Sequence, residues 1–198
     1  MAHRHDTNHV LEIACKCGGL PPLTEGPRLN IPRAVAAAVD RLQLPPRYVI
    51  VHATSNQDVR DWQTQKWQML TQRIAAELDL AVVEVGLRAK IAKGTANYVD
   101  LCGRLSILET AEVIRRAAVF VGIDSGPAHL ANAVGTYGVI LLGHYRSYRW
   151  YMPYSGAYGD GSNARIIHGD GPAATAIDVD EVFEAISARV RSVAKTSV

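Results

Sequence analysis

From residue 48 onward, short apolar runs that suit buried strands alternate with longer segments of helical periodicity. Strands that are apolar throughout and alternate with helices are typical of a parallel sheet covered on both faces. We therefore predict an α/β fold with a doubly wound parallel sheet. The predicted strands are residues 48–53, 81–86, 98–103, 119–123, 138–143 and 164–169, and the predicted helices are 64–78, 106–117, 127–135 and 178–195.

Local signals fix several helix ends. Ser106 is followed three residues later by Glu109, which is the pattern of a capping box at a helix start. Pro127 in the first turn and Gly135 beyond the last turn bracket the next helix in the same way. Before the sheet, the pattern predicts a short helix that closes at Gly18, an extended linker, and an Ala-rich helix over 33–44.

Composition narrows the function classes. The 198 residues are 48% apolar and 20% charged, which describes a globular protein. The net charge of +2 and the lack of a dense Lys/Arg block argue against a nucleic-acid partner. No apolar run approaches the length of a membrane span, and the first ten residues lack an apolar signal core. Three cysteines are most simply reduced thiols, so we expect a cytoplasmic protein.

Candidate chemistry begins where the 119–123 strand meets the following helix. Ligands of doubly wound sheets bind beyond the carboxyl ends of the strands, and the free N–H groups of a helix start attract phosphate there. Gly126 would let an anion approach the backbone, Ser125 adds a hydroxyl, and His129 lies one turn into the helix. The Asp124 carboxylate could accept hydrogen bonds from ligand hydroxyls or from backbone N–H groups of the turn. An ordinary strand-to-helix turn and a structural histidine remain equal alternatives.

Two further loops fall on the same side of the predicted sheet. Thr54 and Ser55 end the first strand, and Arg60 and Lys66 add cations that suit a diphosphate, although a solvated surface loop would look similar. Backbone groups from Gly103 to Leu105 could meet a nucleobase edge. An ordinary strand-to-helix loop fits that last segment equally well.

Three segments in this order resemble the glycosyltransferase family 9 heptosyltransferases, which transfer ADP-activated heptose to lipopolysaccharide. They are "HATSNQDVRDWQTQKW", "DLCGRLSILETAEVIRRAAVFVG" and "VGIDSGPAHLANAVGTYGVILLG". The resemblance implies a Rossmann-like domain, the C-terminal half of a GT-B fold, that holds a nucleotide-diphosphate sugar, with ADP-heptose expected. The implied donor-binding residues are Thr54, Ser55, Arg60, Gly103, Leu105, Asp124, Ser125, Gly126, Pro127 and His129.

The sequence departs from the family pattern at several positions. Arg60 stands where a Lys is common, and the segment 85–90 lacks the acid expected to bind ribose hydroxyls. Tyr137 stands where a Pro is usual. The segment 143–150 replaces the usual Gly-Pro-Thr, so its side chains could form a different sugar or acceptor site.

Length is the largest departure, and it shapes the expected organisation. We expect a tail, hinge and helix over residues 1–46 and the nucleotide-sugar-binding domain over 47–198. The family's acceptor half, with its catalytic Asp, would lie in a preceding domain or a partner subunit, so the catalytic residue is unknown here and the isolated chain is expected to be inactive. The implied acceptor is a glycan or lipid-linked saccharide, which leaves the inner face of the cell membrane open as a location. The scheme implies no cofactor and no metal.

Two other readings remain. The chain could be a non-catalytic nucleotide-sugar-binding module or a subunit that needs a separate acceptor domain. A dinucleotide-dependent oxidoreductase is disfavoured because no G-x-G-x-x-G follows the first strand.

Overall fold

The protein forms one six-stranded parallel sheet flanked by helices, as seen in a computed structural model. The structure describes residues 10–56, 58–92, 97–143, 152–170 and 174–196. The strands are β1 Tyr48–His52, β2 Ala81–Glu84, β3 Tyr98–Asp100, β4 Val119–Ile123, β5 Gly138–Leu142 and β6 Ala164–His168. The helices are α1 Val10–Cys17, α2 Arg33–Asp40, α3 Thr64–Leu78, α4 Ile107–Arg115, α5 Gly126–Ala133 and α6 Val179–Thr196.

The strand order is β3-β2-β1-β4-β5-β6, and each neighbouring pair is parallel. The chain builds outward from β1 to β3, then crosses back and builds outward from β4 to β6. Such a sheet has a topological switch point between its two central strands, where a crevice opens at the carboxyl ends. The predicted α/β Rossmann-like class is confirmed, and the crevice lies between the ends of β1 and β4.

The core occupies both faces of the sheet. Alternate side chains of each strand point to opposite faces, so Val49 packs with α3 and α6 while Ile50 packs with α2, α4 and α5. On the first face, Trp67 and Phe183 are almost fully buried. The three layers hold the strand ends, and with them the loops of the crevice, in fixed positions.

Local sequence signals account for the helix ends near the crevice. The predicted capping box of α4 is present: the Ser106 hydroxyl accepts from the Glu109 N–H, and the Glu109 carboxylate accepts from the Ser106 N–H. The helix predicted over 33–44 ends earlier, at Asp40, because the chain leaves the helical path at Gln43, which adopts a left-handed conformation with φ 50° two residues before Pro45.

The segment that precedes the sheet is packed onto it. Val39 of α2 is buried among the residues of the α4 and α5 face, and the Arg116 guanidinium bonds the Asp40 carboxylate at 2.6 Å. In the linker, the Leu29 N–H donates to the Ala133 carbonyl at 3.2 Å. The domain boundary at residue 46 stays a prediction.

Candidate functional site

A cavity of about 1190 Å³ lies at the carboxyl ends of β1 and β4, at the switch point of the sheet. Four segments line it: the loop after β1, the loop after β2, the start of α4 and the start of α5. The lining residues are His52, Thr54, Ser55, Asn56, Asp58, Arg60, Asp61, Gly86, Leu87, Arg88, Ala89, Lys90, Leu105, Ile107, Thr110, Asp124, Ser125, Gly126, Pro127, His129 and Leu130.

Nine of the ten residues predicted from the sequence line this cavity. The exception is Gly103, which lies in the turn after β3, where it adopts φ 69° and its N–H donates to the Gly86 carbonyl at 2.7 Å. Gly103 therefore supports the neighbouring loop that does line the cavity. The predicted ligand contacts of all ten residues stay predictions.

The start of α5 presents backbone N–H groups to the cavity. Ser125 is extended, and its carbonyl accepts from the N–H groups of Ala128 and His129 at 3.0 and 3.3 Å. Pro127 has no N–H. Within the described part of the chain, the N–H groups of Ser125 and Gly126 have no hydrogen-bond partner. These two donors and the positive end of the helix dipole form a candidate anion site.

The surroundings of Gly126 leave that site open. A Cβ atom added to Gly126 would have no heavy atom within 4 Å, so it would project into the cavity space. The Ser125 hydroxyl donates back to the Ile123 carbonyl at 3.1 Å. In this state Ser125 offers its backbone N–H and its hydroxyl lone pairs, whereas its hydroxyl proton, expected to serve the ligand, is already engaged.

Asp124 is the centre of a polar network on the cavity wall. Its side chain is 7% exposed, and one carboxylate oxygen accepts from Arg60 Nη2 at 2.7 Å while the other accepts from the Tyr154 hydroxyl at 2.7 Å. The same Arg60 nitrogen also reaches the Asp124 carbonyl at 2.7 Å. The His129 ring packs on Tyr154 with centroids 4.8 Å apart. Arg60 is thereby held at the anion site by a buried partner.

Asp61 forms a second network that sequence reasoning missed. Its buried carboxylate accepts from the Ser55 N–H at 2.8 Å and from Lys90 Nζ at 2.6 Å. Lys90 lies on the loop after β2, so the pair joins two walls of the cavity. Because Asp61 and Lys90 are 29 positions apart, no local pattern connects them. The sequence offers one weak indication of this pair: Asp61 and Lys90 follow the carboxyl ends of the neighbouring strands β1 and β2.

His52, at the end of β1, is a buried histidine in the cavity wall. Its Nδ1 lies 2.8 Å from the Val85 carbonyl, which can only accept, so Nδ1 carries the proton. Burial lowers the pKa of His52, against the opposing effect of that hydrogen bond. The ring is accordingly neutral near pH 7 and ties β1 to the loop after β2.

Lys66 corrects one expectation. The sequence suggested that its ammonium would serve a phosphate, but Nζ donates to the carbonyls of Thr175 and Ile177 at 2.7 Å each, and Lys66 is not part of the cavity lining. It anchors the segment before α6. The segment 143–150 was predicted as a possible sugar or acceptor site, and its residues 144–150 lie outside the described residues.

Two features are absent from the described residues. No group of three or more His, Cys, Asp or Glu side chains there is placed to hold a metal ion. None of the helices within these ranges has the length and apolarity to cross a bilayer.

The fold and the cavity together define a Rossmann-like α/β protein with an open crevice at the switch point. The sequence model of "Glycosyltransferase family 9 (heptosyltransferase)" matches residues 10–165. The chain belongs to this family of glycosyltransferases.

Relatives agree with this assignment. Lipopolysaccharide heptosyltransferase 3 of Escherichia coli K12 is 28% identical over 114 residues, which cover 53% of this chain and 33% of the relative. A family 9 glycosyltransferase structure from Veillonella parvula matches 83% of this chain with a TM-score of 0.69 at 14% identity. The E. coli heptosyltransferase WaaC with ADP matches 90% with a TM-score of 0.62 at 19% identity. The chain covers 54% of each of these two GT-B structures.

Proposed function

We propose that this chain is the donor-binding part of a heptosyltransferase and that its cavity binds a nucleotide-diphosphate sugar, ADP-heptose by preference. The observation that carries the proposal is the pair of N–H groups at Ser125 and Gly126, which have no partner among the described residues and which border a cavity of about 1190 Å³ at the switch point. A helix start at this place in a parallel sheet is suited to a phosphate group. A structural relative, the E. coli heptosyltransferase WaaC, is seen with ADP, which agrees with this choice of nucleotide.

The diphosphate would lie over the start of α5. The Ser125 and Gly126 N–H groups would donate to its oxygens, and the Arg60 guanidinium, held by Asp124, would supply a positive charge beside them. Such donors stabilise a diphosphate most when it departs with a full extra charge, so they favour the leaving group of a transfer reaction. His129 and Asp124 line the cavity and would lie near the sugar and the phosphates.

In the reaction, an acceptor hydroxyl oxygen would form a bond to the anomeric carbon of the sugar. The bond from that carbon to the diphosphate oxygen would break, and the electron pair would leave with the nucleoside diphosphate. The hydroxyl proton would pass to a general base. We propose that this base belongs to an acceptor-binding domain or subunit, and that the acceptor is a glycan or lipopolysaccharide hydroxyl. The alternative is a binding module that performs no transfer itself.

Calorimetry with ADP tests the donor site. We expect ADP to bind, and we expect Gly126→Val to weaken binding by about tenfold or more, because the new side chain projects into the space where the anion would approach. Gly18→Val is the matched control: Gly18 lies outside the lining, and an added Cβ there would meet its nearest atom at 3.4 Å. Absence of ADP binding at millimolar concentration refutes the proposal, as does equal binding by the Gly126→Val variant.

A transfer assay separates the two versions of the function. ADP-heptose and a truncated lipopolysaccharide acceptor are incubated with the chain alone and with a family 9 acceptor-binding half. Transfer only in the mixture supports a donor domain. If ADP binds but no sugar is transferred, either by the chain alone or in the mixture, the result supports the binding module.

A further inference from the structure

The loop after β2 makes the part of the cavity lining that lies beyond the proposed diphosphate site. This loop contributes Gly86 to Lys90, and the start of α4 contributes Leu105, Ile107 and Thr110. If the diphosphate lies over α5, these two segments line the space into which the nucleoside would extend, because β2 lies beyond β1 from β4. In Rossmann-like sheets the residue after β2 commonly contacts the ribose: a carboxylate there binds a free 2′-hydroxyl, and an Arg accommodates a 2′-phosphate.

The sequence of that loop, residues 85–97, contains no Asp or Glu. Glu84, at the end of β2, is fully buried, and its oxygens accept from the Lys90 and Ile91 N–H groups and from the Tyr98 hydroxyl at 2.8, 3.2 and 2.5 Å. Burial also raises the pKa of Glu84. Asp100, at the end of β3, accepts from the Cys102 N–H at 2.9 Å and is not part of the lining.

The carboxylates that do line the cavity belong to other segments. Asp61 is engaged with Ser55 and Lys90, and Asp124 is engaged with Arg60 and Tyr154. Both side chains are at least nine-tenths buried. The exposed carboxylate in the lining is Asp58, which lies on the short turn after β1 rather than on the β2 loop.

The loop after β2 instead presents a cation. Arg88 is exposed, lines the cavity and has no ion-pair partner among the residues that the structure describes. Beside it, Leu87 is 87% exposed. A guanidinium next to an aliphatic side chain offers a charge for a phosphate and no acceptor for a ribose hydroxyl.

We propose that Arg88 sets the ribose specificity of the donor site: the site does not require a free 2′-hydroxyl, and it accepts a nucleoside diphosphate with an additional phosphate on the ribose. This inference rests on the proposed function, since it assumes that a nucleotide diphosphate occupies the cavity. The lack of an acid on the loop after β2 would thus affect which nucleotide the site accepts.

Calorimetry with three nucleotides tests the inference: ADP, 2′-deoxy-ADP and adenosine 2′-phosphate 5′-diphosphate. We expect 2′-deoxy-ADP to bind within about twofold of ADP, and the 2′-phosphorylated nucleotide to bind at least as tightly as ADP. Arg88→Glu should lower the affinity for the 2′-phosphorylated nucleotide relative to the affinity for ADP by about tenfold or more, because an Arg–phosphate contact is replaced by repulsion.

Arg104→Glu is the matched control, because Arg104 is exposed on the neighbouring loop, outside the lining, and carries the same charge change. It should leave the ratio of the three affinities unchanged. If ADP binds but 2′-deoxy-ADP is tenfold weaker, a group such as Asp58 reads the hydroxyl and this inference alone is wrong. The same conclusion follows if Arg88→Glu weakens the binding of ADP and of adenosine 2′-phosphate 5′-diphosphate by the same factor. If ADP itself does not bind, the proposed function fails and this inference fails with it.

Discussion

The ion pair between Arg60 and Asp124 gives the sharpest prediction about stability. The Asp124 side chain is 7% exposed and the Arg60 side chain 25% exposed, with 2.7 Å between the paired atoms. Replacing Arg60 by Met leaves a nearly buried carboxylate that, among the described residues, still accepts from the Tyr154 hydroxyl. Removing one partner of a fully buried pair costs roughly 3–5 kcal/mol, and the partial exposure of Arg60 reduces this to about 2–3 kcal/mol.

The measurements are urea unfolding, which gives the free energy of unfolding, and thermal unfolding, which gives the melting temperature, both followed by circular dichroism. For a chain of this length, a loss of about 2–3 kcal/mol should lower the melting temperature by roughly 5–10 °C. Adding Asp124→Asn to Arg60→Met removes the uncompensated charge, so the double variant should be about 1–2 kcal/mol more stable than Arg60→Met alone. Arg165→Met is the control, because Arg165 is 62% exposed and lies 4.0 Å from Glu181, and it should change stability by less than about 0.5 kcal/mol.

Two results would contradict this reasoning. If Arg60→Met costs less than about 0.5 kcal/mol, the pair is as weak as a surface ion pair. If the double variant is less stable than Arg60→Met, the buried charge of Asp124 is not the source of the loss.

Two more variants test His52, which lies in the cavity wall, and Lys66, which lies outside the lining. His52→Asn keeps an N–H donor for the Val85 carbonyl but does not titrate. Because the pKa of His52 is lowered from 6.5 in the folded protein, the unfolded state takes up the proton first as the pH falls. Below about pH 6.5, wild-type stability should therefore fall more steeply than that of the variant, by up to about 1.4 kcal/mol per pH unit. Parallel pH curves would refute this. Lys66→Met should lower the free energy of unfolding by about 1–2 kcal/mol through two lost charged hydrogen bonds while ADP affinity stays within twofold; lower affinity at full stability would restore a phosphate role to Lys66.

Much of the fold could be predicted because its signals are local. The strand 119–123 and the helix 64–78 appear with the predicted bounds, since an apolar run and a 3.6-residue stripe each report burial directly. The capping box at Ser106 was readable from one side chain and another three positions later. The early end of α2 was not readable, because it depends on the left-handed backbone at Gln43.

The site was predictable only in part, for the same reason. Residues that follow strand ends, such as Ser55 and Gly126, could be placed near the crevice because parallel strands bring their carboxyl ends to one edge. Contacts between distant segments could not: Tyr154 reaches Asp124 across 30 positions, and Lys66 reaches Ile177 across 111. Which cation serves the cavity is decided by such tertiary contacts rather than by sequence spacing.

The most direct test of the account is a crystal structure of this chain with ADP. The account predicts diphosphate oxygens within about 2.7–3.2 Å of the backbone nitrogens of Ser125 and Gly126, at the start of α5. A diphosphate bound elsewhere, with these two N–H groups facing only water, would contradict it.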